Sequence, residues 1–95
     1  MKNKELVRIE FSNRFNKDRQ LAPLVIKIAL RDAIELFRDD NENEILRSHS
    51  LDKLGKRYYG LWSINITDDW RAIYRKKDNR IIFMMLRTHK KLYGS

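Results

Sequence analysis

Six consecutive apolar residues at positions 81–86, IIFMML, constrain the fold more than any other stretch of the sequence. The run is too short to span a membrane, and it lacks the alternation of a strand with one face in water. A strand that is apolar on both faces belongs inside a sheet, with a helix covering at least one side. We therefore expect an interior strand over Arg80–Thr88.

Two further patterns predict the first half of the chain. Apolar residues alternate with polar ones over residues 6–11, which is typical of a half-buried strand. Ser12 or Asn13 then offers an N-cap for a short helix. Pro23 precedes apolar residues at helical spacing, so a longer helix is expected over residues 24–37.

The second half reads as a meander of three strands. Alternation and turn residues place the strands at 61–66, 69–75 and 80–88, with short turns at 67–68 and 78–79. The sequence thus predicts one α+β domain over residues 1–95. Its N-terminal strand leads into a two-helix hairpin that packs on one face of an antiparallel sheet of about four strands. The opposite face and its rim are left for function.

The residue types that are absent or rare exclude several classes of protein. Without cysteine there is no disulfide framework, no thiolate nucleophile and no zinc ribbon. The apolar runs are too short for a membrane span, and no small-residue cleavage site follows a basic amino terminus. We expect a cytoplasmic protein with no membrane partner.

The net charge of +8 is concentrated in the second half of the chain. Residues 48–95 carry eleven lysines and arginines against four aspartates and glutamates, whereas residues 1–47 carry ten against nine. A basic field attracts polyanions. A nucleic acid and an acidic protein both satisfy it, and a high isoelectric point without function is the alternative.

His49 and His89 are the only imidazoles, and each lies just outside a predicted element. Histidine is the side chain best suited to proton transfer near neutral pH. A lone histidine in a surface loop usually has no function. His89 differs because Arg87, Lys90 and Lys91 surround it in a cluster that would hold a phosphate.

The predicted strand over residues 69–75 adds to this cluster. Alternation puts Asp69, Arg71 and Arg75 on one face. Arg71 can hold a phosphate by a bidentate contact and stabilise charge that builds there during a reaction. The alternative is an ion pair between Asp69 or the neighbouring Asp68 and an arginine, and the sequence leaves both interpretations open.

The inventory suits a reaction without metal or cofactor. His49, Asp52 and distant His89 are too scattered for a metal site, so we expect none. RNA carries its own nucleophile, the 2′-hydroxyl, and can be cleaved by a base, an acid and cations around the phosphate. Three tyrosines beside basic residues are the best candidates to stack on unpaired bases. These are Tyr58, Tyr59 and Tyr93.

Two segments resemble the RelE/ParE superfamily of bacterial type II toxins, especially its RelE- and YafQ-like branch. They are GLWSINITDDWRAIYR at residues 60–75 and IIFMMLRTHKKLYG at residues 81–94, and HSLDKLGKRYYG at residues 49–60 resembles the segment before them. The resemblance implies a small α+β fold and a ribosome-dependent endoribonuclease that cuts mRNA. It also implies silencing by a cognate antitoxin, expected to be acidic, and contact with operator DNA only through the toxin–antitoxin complex.

The resemblance also assigns roles to individual residues. His49 matches a histidine of the YafQ-like active site and Asp69 an aspartate, while His89 matches the carboxy-terminal catalytic histidine. Tyr93 matches the aromatic residue expected to contact the base, and Arg71 the strand arginine that holds the scissile phosphate. The basic residues expected to bind RNA are Lys56, Arg57, Arg87, Lys90 and Lys91.

The chain departs from the family pattern at two positions. Asn65 stands where the YafQ-like pattern has a further histidine, and Met85 stands where an arginine is often found. These departures keep two alternatives open. One is a ParE-like toxin that poisons DNA gyrase by binding, and the other is an inactive homologue that mainly binds an antitoxin.

Overall fold

The computed structural model describes residues 7–94, except for the side chain of Asn41. Strands, α-helices and two 3-10 turns alternate along these residues. The elements are β1 (Arg8–Phe11), α1 (Asn13–Leu21), α2 (Leu24–Asp39), α3 (Asn41–Leu46), β2 (His49–Ser50), 3-10 turns at Asp52–Leu54 and Lys56–Tyr58, β3 (Leu61–Asn65), β4 (Trp70–Lys77), β5 (Arg80–Thr88) and α4 (His89–Tyr93).

The strands form one sheet in the order β1-β5-β4-β3-β2. The expected α+β class is confirmed, but the sheet has five strands in the described residues rather than about four, and it is mixed. β1 runs parallel to β5, whereas the other neighbours are antiparallel. A parallel pair needs a long crossover. The helices between β1 and the meander are part of that crossover, which is why the sheet is not purely antiparallel.

β5 lies inside the sheet, as the apolar run predicted. Phe83 and Leu86 pack in the core under the helices, while Met84 and Met85 contact a second apolar cluster on the other face. The register with β4 shifts between Ile73 and the next residue, so Met84 and Met85 both lie on the second face. This irregularity puts two consecutive apolar side chains on the second face, where strict alternation would put one.

The helices cover one face of the sheet. On α2, Ile26, Leu30, Ile34 and Phe37 are buried. The ring of Phe37 meets that of Tyr74 edge to face, with centroids 5.3 Å apart. The predicted helix over residues 24–37 is therefore confirmed, and it continues to residue 39.

Ser12 joins the start of α1 to the sheet. Its hydroxyl accepts a hydrogen bond from the N–H of Phe15 at 3.0 Å and donates one to the carbonyl of Met84 at 2.8 Å. Of the two N-caps that the sequence offered, the chain uses Ser12. The cap fixes where α1 begins relative to β5, and this decides which α1 side chains reach the end of that strand.

The face opposite the helices is not entirely open, contrary to the expectation from the sequence. Leu51, Leu61, Ile73 and Leu92 form a second buried cluster there. The irregular segment between β2 and β3 and the short helix α4 therefore cover part of the sheet. The apolar residues of an irregular loop follow no period, which is why the pattern did not reveal this cluster.

Candidate active site

The short helix α4 begins at His89, directly where β5 ends. The Thr88 hydroxyl caps it by accepting the N–H of Lys91 at 3.1 Å. At its other end, Gly94 adopts a φ of 77°, a conformation that favours glycine, and its N–H donates to the carbonyl of Lys90 at 2.7 Å. Leu92 is buried beneath it. A helix of one turn is thus fixed at both ends and on one side.

His89 and Tyr93 occupy the outer side of this turn. Their ring centroids are 4.5 Å apart, and the ring planes are inclined by 35°. Tyr93 is 42% exposed, so one face of its ring remains accessible. The pair presents an imidazole beside an aromatic surface suited to an unpaired base.

Asp69 contacts the start of α4 through its backbone. Its carbonyl accepts the N–H of His89 at 2.6 Å. The prediction that Asp69 lies within a strand is wrong, because β4 begins at Trp70 and Asp69 belongs to the preceding turn. Alternation applies only inside a strand, so it does not orient the exposed Asp69 carboxylate.

Arg71 and Arg87 are paired in register on the neighbouring strands β4 and β5, with Asn65 of β3 next in the same row. Residues paired in this way project from the same face of a sheet. The two arginine side chains therefore leave the sheet from neighbouring positions at the end where α4 begins. We call this region the α4 end of the sheet and define it by Asn65, Arg71, Arg87 and His89.

Backbone carbonyls hold Arg71 in place. Its Nη1 donates to the carbonyls of Thr67 at 2.9 Å, Asp68 at 3.1 Å and Trp70 at 3.1 Å. All three hydrogen bonds use Nη1. Nη2 and Nε make none with the described residues 7–94, so both are available to a ligand. The guanidinium is therefore oriented by the turn and keeps the two donors needed for a bidentate phosphate contact.

A carboxylate of α1 holds Arg87. Its Nη1 lies 3.3 Å from Oδ2 of Asp18, and both side chains are largely buried. The same Oδ2 accepts the N–H of Leu86 at 3.0 Å. Asp18 thus satisfies the part of the β5 edge that extends beyond β1 and fixes the adjacent arginine.

His49 lies further from this region than the sequence suggested. It belongs to the edge strand β2 and is paired with Ser63 of β3. Ser63 lies opposite Ile73, two residues along β4 from Arg71. With strand spacings of about 4.8 Å, the Cα atoms of His49 and Arg71 are about 12 Å apart. His49 shares the face but reaches the α4 end of the sheet only across an extended substrate.

The remaining basic residues that the sequence suggested for RNA binding are all exposed. Lys56 and Arg57 are exposed in the second 3-10 turn, and Lys90 and Lys91 are exposed on α4. Tyr58, which follows Arg57, packs against the second cluster and is only partly accessible. Of the three tyrosines considered for base stacking, Tyr59 and Tyr93 are exposed, at 60% and 42%.

This arrangement combines an imidazole, two oriented guanidinium groups and flanking lysines. No group of three or more potential metal-binding side chains occurs among residues 7–94. An imidazole can transfer a proton, and guanidinium groups can stabilise negative charge on a phosphate. The α4 end of the sheet is therefore suited to phosphodiester chemistry that needs an acid and cations.

Sequence reasoning missed two residues that organise this region. Thr88 precedes α4 with the hydroxyl that a helix N-cap requires, so its role was detectable in principle. Asp18 gave no local signal, because its partner Arg87 is 69 positions away in the chain. Only the docking of α1 against β5 brings the two together.

The chain is similar to known proteins in its structure rather than in its sequence. No protein-family model matches the sequence, and no match was found among curated proteins. A chain of the E. coli DinJ–YafQ toxin–antitoxin complex has a TM-score of 0.69 and 23% identity, covering 95% of this chain and 100% of that one. A chain of the RelB–RelE antitoxin–toxin complex from Methanococcus jannaschii has a TM-score of 0.67 and 20% identity, covering 90% and 95%. The chain has the RelE/ParE toxin fold.

A third solved structure extends the comparison. A YoeB/ParE toxin from Agrobacterium tumefaciens has a TM-score of 0.64 and 18% identity, and the alignment covers 87% of this chain and 99% of that one. The RelE/ParE fold therefore spans nearly the whole chain. This confirms the fold expected from the resemblance of residues 49–94. It also extends that fold to the first half of the chain, where only the order of elements had agreed. No helix in the described part of the chain is long and apolar enough to cross a membrane.

Proposed function

We propose that this protein is the toxin of a type II toxin–antitoxin system and that it cleaves mRNA on the ribosome without a metal ion. One observation carries the proposal: His89 begins α4 at the end of β5, beside the paired strand positions Arg71 and Arg87. A pure binding protein has no need of an imidazole next to two oriented guanidinium groups. A phosphodiesterase that works without a metal ion can use the imidazole as its acid and the guanidinium groups to stabilise charge.

In the proposed reaction, the 2′-oxygen of one nucleotide attacks the adjacent phosphorus and the bond from phosphorus to the 5′-oxygen breaks. A base removes the proton of the 2′-hydroxyl, and His89 donates a proton to the departing 5′-oxygen. Arg71 and Arg87, flanked by Lys90 and Lys91, stabilise the additional negative charge on the phosphate. The products are a 2′,3′-cyclic phosphate and a free 5′-hydroxyl.

Two residues, Asp69 and His49, are candidates for the general base. The backbone carbonyl of Asp69 accepts the N–H of His89, so the two residues are neighbours at the start of α4, and the Asp69 side chain is exposed. His49 lies on the edge strand β2 and would act from the far side of the RNA. The ribosome must therefore present the mRNA in one conformation across the face, and the free protein is expected to be a poor nuclease.

The partners in this proposal are the ribosome, mRNA and an acidic antitoxin. Two of the solved structures with this fold are toxin–antitoxin complexes. The net charge of +8 favours an acidic protein as well as RNA. Operator DNA would be bound only through the toxin–antitoxin complex, and the site of action is the cytoplasm.

Expression in bacteria separates this function from gyrase poisoning. Wild type, His89→Ala and the surface control Lys76→Ala are induced while growth, mRNA 5′ ends and gyrase-linked DNA breaks are measured. We expect growth arrest with new mRNA ends for wild type and Lys76→Ala, and neither effect for His89→Ala. DNA breaks with uncut mRNA would instead identify a gyrase poison. Absence of toxicity in all three would identify an inactive homologue.

A further inference from the structure

Ser63 of β3 is a polar side chain in a buried position. It is fully buried, and its hydroxyl oxygen makes no hydrogen bond with any residue of the described range 7–94. A buried hydroxyl without a partner lowers stability, because it has lost its hydrogen bonds to water. Alanine at this position would avoid that loss. Stability does not account for a serine here, so a role in function is the better explanation.

Ser63 lies on the face of the sheet that carries the candidate site. It is paired in register with His49 of β2 on one side and with Ile73 of β4 on the other. Residues paired in this way project from the same face, with Cβ atoms about 5 Å apart. The hydroxyl of Ser63 and the imidazole of His49 therefore start from adjacent positions, close enough for a hydrogen bond in suitable rotamers.

The imidazole of His49 is available for this bond. His49 is exposed, and neither of its ring nitrogens has a hydrogen bond or an ion pair with another residue of the described chain. The ring is thus turned to solvent in the free protein, while the hydroxyl at the paired position stays unbonded. Two complementary polar groups, each without a partner among residues 7–94, are arranged to meet when a ligand covers the face.

The other neighbours of Ser63 are poorer partners. Ile73 across the sheet and Leu61 along the strand are buried aliphatic residues, whose side chains offer no polar atom. Asn65 lies two residues further along β3, which places its Cα roughly 7 Å away. A bound water needs several polar partners, and the aliphatic side chains supply none. His49 is therefore the partner that this arrangement favours.

We propose that Ser63 is a positioning residue that holds His49 as the general base of the reaction. The inference rests on the proposed function, and it chooses between the two candidates for the base. RNA lying across the face turns the imidazole inward over β3, where one ring N–H donates a hydrogen bond to Oγ of Ser63. The other ring nitrogen then carries its lone pair towards the RNA, which is the tautomer that a base requires.

This hydrogen bond fixes the path of the protons. The free nitrogen of His49 takes the proton of the 2′-hydroxyl while the 2′-oxygen forms its bond to phosphorus, and His89 gives a proton to the 5′-oxygen as that bond breaks. His49 leaves the step charged and His89 leaves it neutral, so proton exchange with solvent restores both. Without Ser63 the ring of His49 has neither a fixed tautomer nor a fixed orientation. The hydroxyl contributes only after RNA is bound, so the free fold does not depend on it.

Replacements of Ser63 test the inference by single-turnover cleavage on programmed ribosomes and by urea unfolding. Ser63→Thr and Ser63→Val add nearly the same volume and differ in the hydroxyl, so any cost of packing falls on both. We expect Ser63→Thr to cut within about threefold of the wild-type rate, and Ser63→Ala and Ser63→Val to cut at least about tenfold more slowly. The urea midpoint of Ser63→Ala should equal or exceed that of wild type, because an unpaired buried hydroxyl is removed. Ser50→Ala, on the other face of β2, is the control and should cut at the wild-type rate.

A second background shows whether Ser63 acts through His49. Ser63→Ala should slow cleavage by about tenfold in the wild-type chain but by less than about twofold in His49→Ala, where no imidazole is left to position. The same loss in both backgrounds would overturn the inference, and so would a full rate for His49→Ala.

The remaining outcomes separate failure of the inference from failure of the proposed function. If wild type cuts mRNA while Ser63→Ala cuts at the full rate, or while Ser63→Thr and Ser63→Val cut equally, the inference fails and the proposed function stands. A lower urea midpoint for Ser63→Ala would assign the serine to the stability of the fold and would also overturn the inference. Intact mRNA with folded wild-type protein would overturn both.

Discussion

The imidazole of His89 and the phenol ring of Tyr93 face each other across one turn of α4, with centroids 4.5 Å apart and planes inclined by 35°. Residues four apart on a helix are neighbours, so the contact follows from the helix itself. Thr88 and Gly94 fix where that helix begins and ends. Tyr93 therefore limits the orientations open to the group that we propose as the acid.

Replacing Tyr93 should lower cleavage without affecting the fold. Tyr93→Leu removes the ring that packs against His89 and that we propose to stack on the base, and we expect ribosome-dependent cleavage to fall by about tenfold or more. Tyr93→Phe keeps the ring and should retain most activity. The rates are measured by single-turnover cleavage on programmed ribosomes, with circular dichroism to verify folding. Equal rates for Tyr93→Leu and Tyr93→Phe would show that the aromatic ring does not contribute to cleavage.

Arg71 should contribute more than the lysines around it. Arg71→Ala deletes the donors that we propose to hold the phosphate, and a loss of about 10²–10³ in the cleavage rate is expected. Arg71→Lys restores a charge but not the bidentate geometry, so its rate should be intermediate. Arg75→Ala, an exposed change on the same strand, is the control. A similar loss in Arg75→Ala would indicate that charge alone matters.

Asp18 should be required for stability at the end of β5. Asp18→Asn removes the ion pair with Arg87 while leaving an oxygen for the N–H of Leu86. Because both charged side chains are largely buried, we expect a loss of about 1–3 kcal/mol in the free energy of unfolding. Urea unfolding measures this. Asp32→Asn is the matched control, since Asp32 is 69% exposed and its ion pair with Arg31 spans 3.9 Å. A larger loss in Asp32→Asn than in Asp18→Asn would contradict the account.

Tyr74 should make the fold sensitive to alkali. Burial raises the pKa of its phenol, although the hydrogen bond to Ser48 at 2.8 Å acts in the opposite direction. The folded state thus holds this proton more tightly than the unfolded chain, where the pKa is about 10. The contribution of Tyr74 to the free energy of unfolding is therefore fully present below a pH of about 10. It is lost as the pH rises through the folded-state pKa.

Tyr74→Phe isolates this effect. At neutral pH the variant should be less stable by about 0.5–1.5 kcal/mol, because the bond to Ser48 is lost. Above pH of about 10 it should lose less stability than wild type, because it lacks the phenol that releases its proton more readily in the unfolded chain than in the folded state. Urea midpoints measured between neutral and alkaline pH give both numbers. Parallel pH profiles for the two proteins would show that folding does not raise the pKa of Tyr74.

Regular patterns predicted the regular parts of this fold. The run at residues 81–86 identified β5 with its bounds at Arg80 and Thr88, and helical spacing identified α2. Both depend on local periodicity, which a sequence displays directly. β2 escaped prediction because two residues, His49–Ser50, are too few to show alternation.

Relations between distant segments were beyond the reach of periodicity. The parallel pairing of β1 with β5 depends on how the chain crosses over, and the ion pair of Asp18 with Arg87 depends on the docking of α1. The alternating pattern also fits Asp69, the residue just before β4, because alternation does not mark where a strand begins. The roles of His49, Asp69, Arg71, His89 and Tyr93 remain predictions that the proposed experiments test.

The most direct test of the central claim is primer extension on mRNA recovered from purified, programmed ribosomes after incubation with the protein. Wild type, His89→Ala and a reaction without ribosomes are compared, with each protein verified as folded. We predict cuts within the codon at the decoding site that require both the ribosome and His89. Intact mRNA with folded wild-type protein, or the same cuts with His89→Ala, would contradict the account.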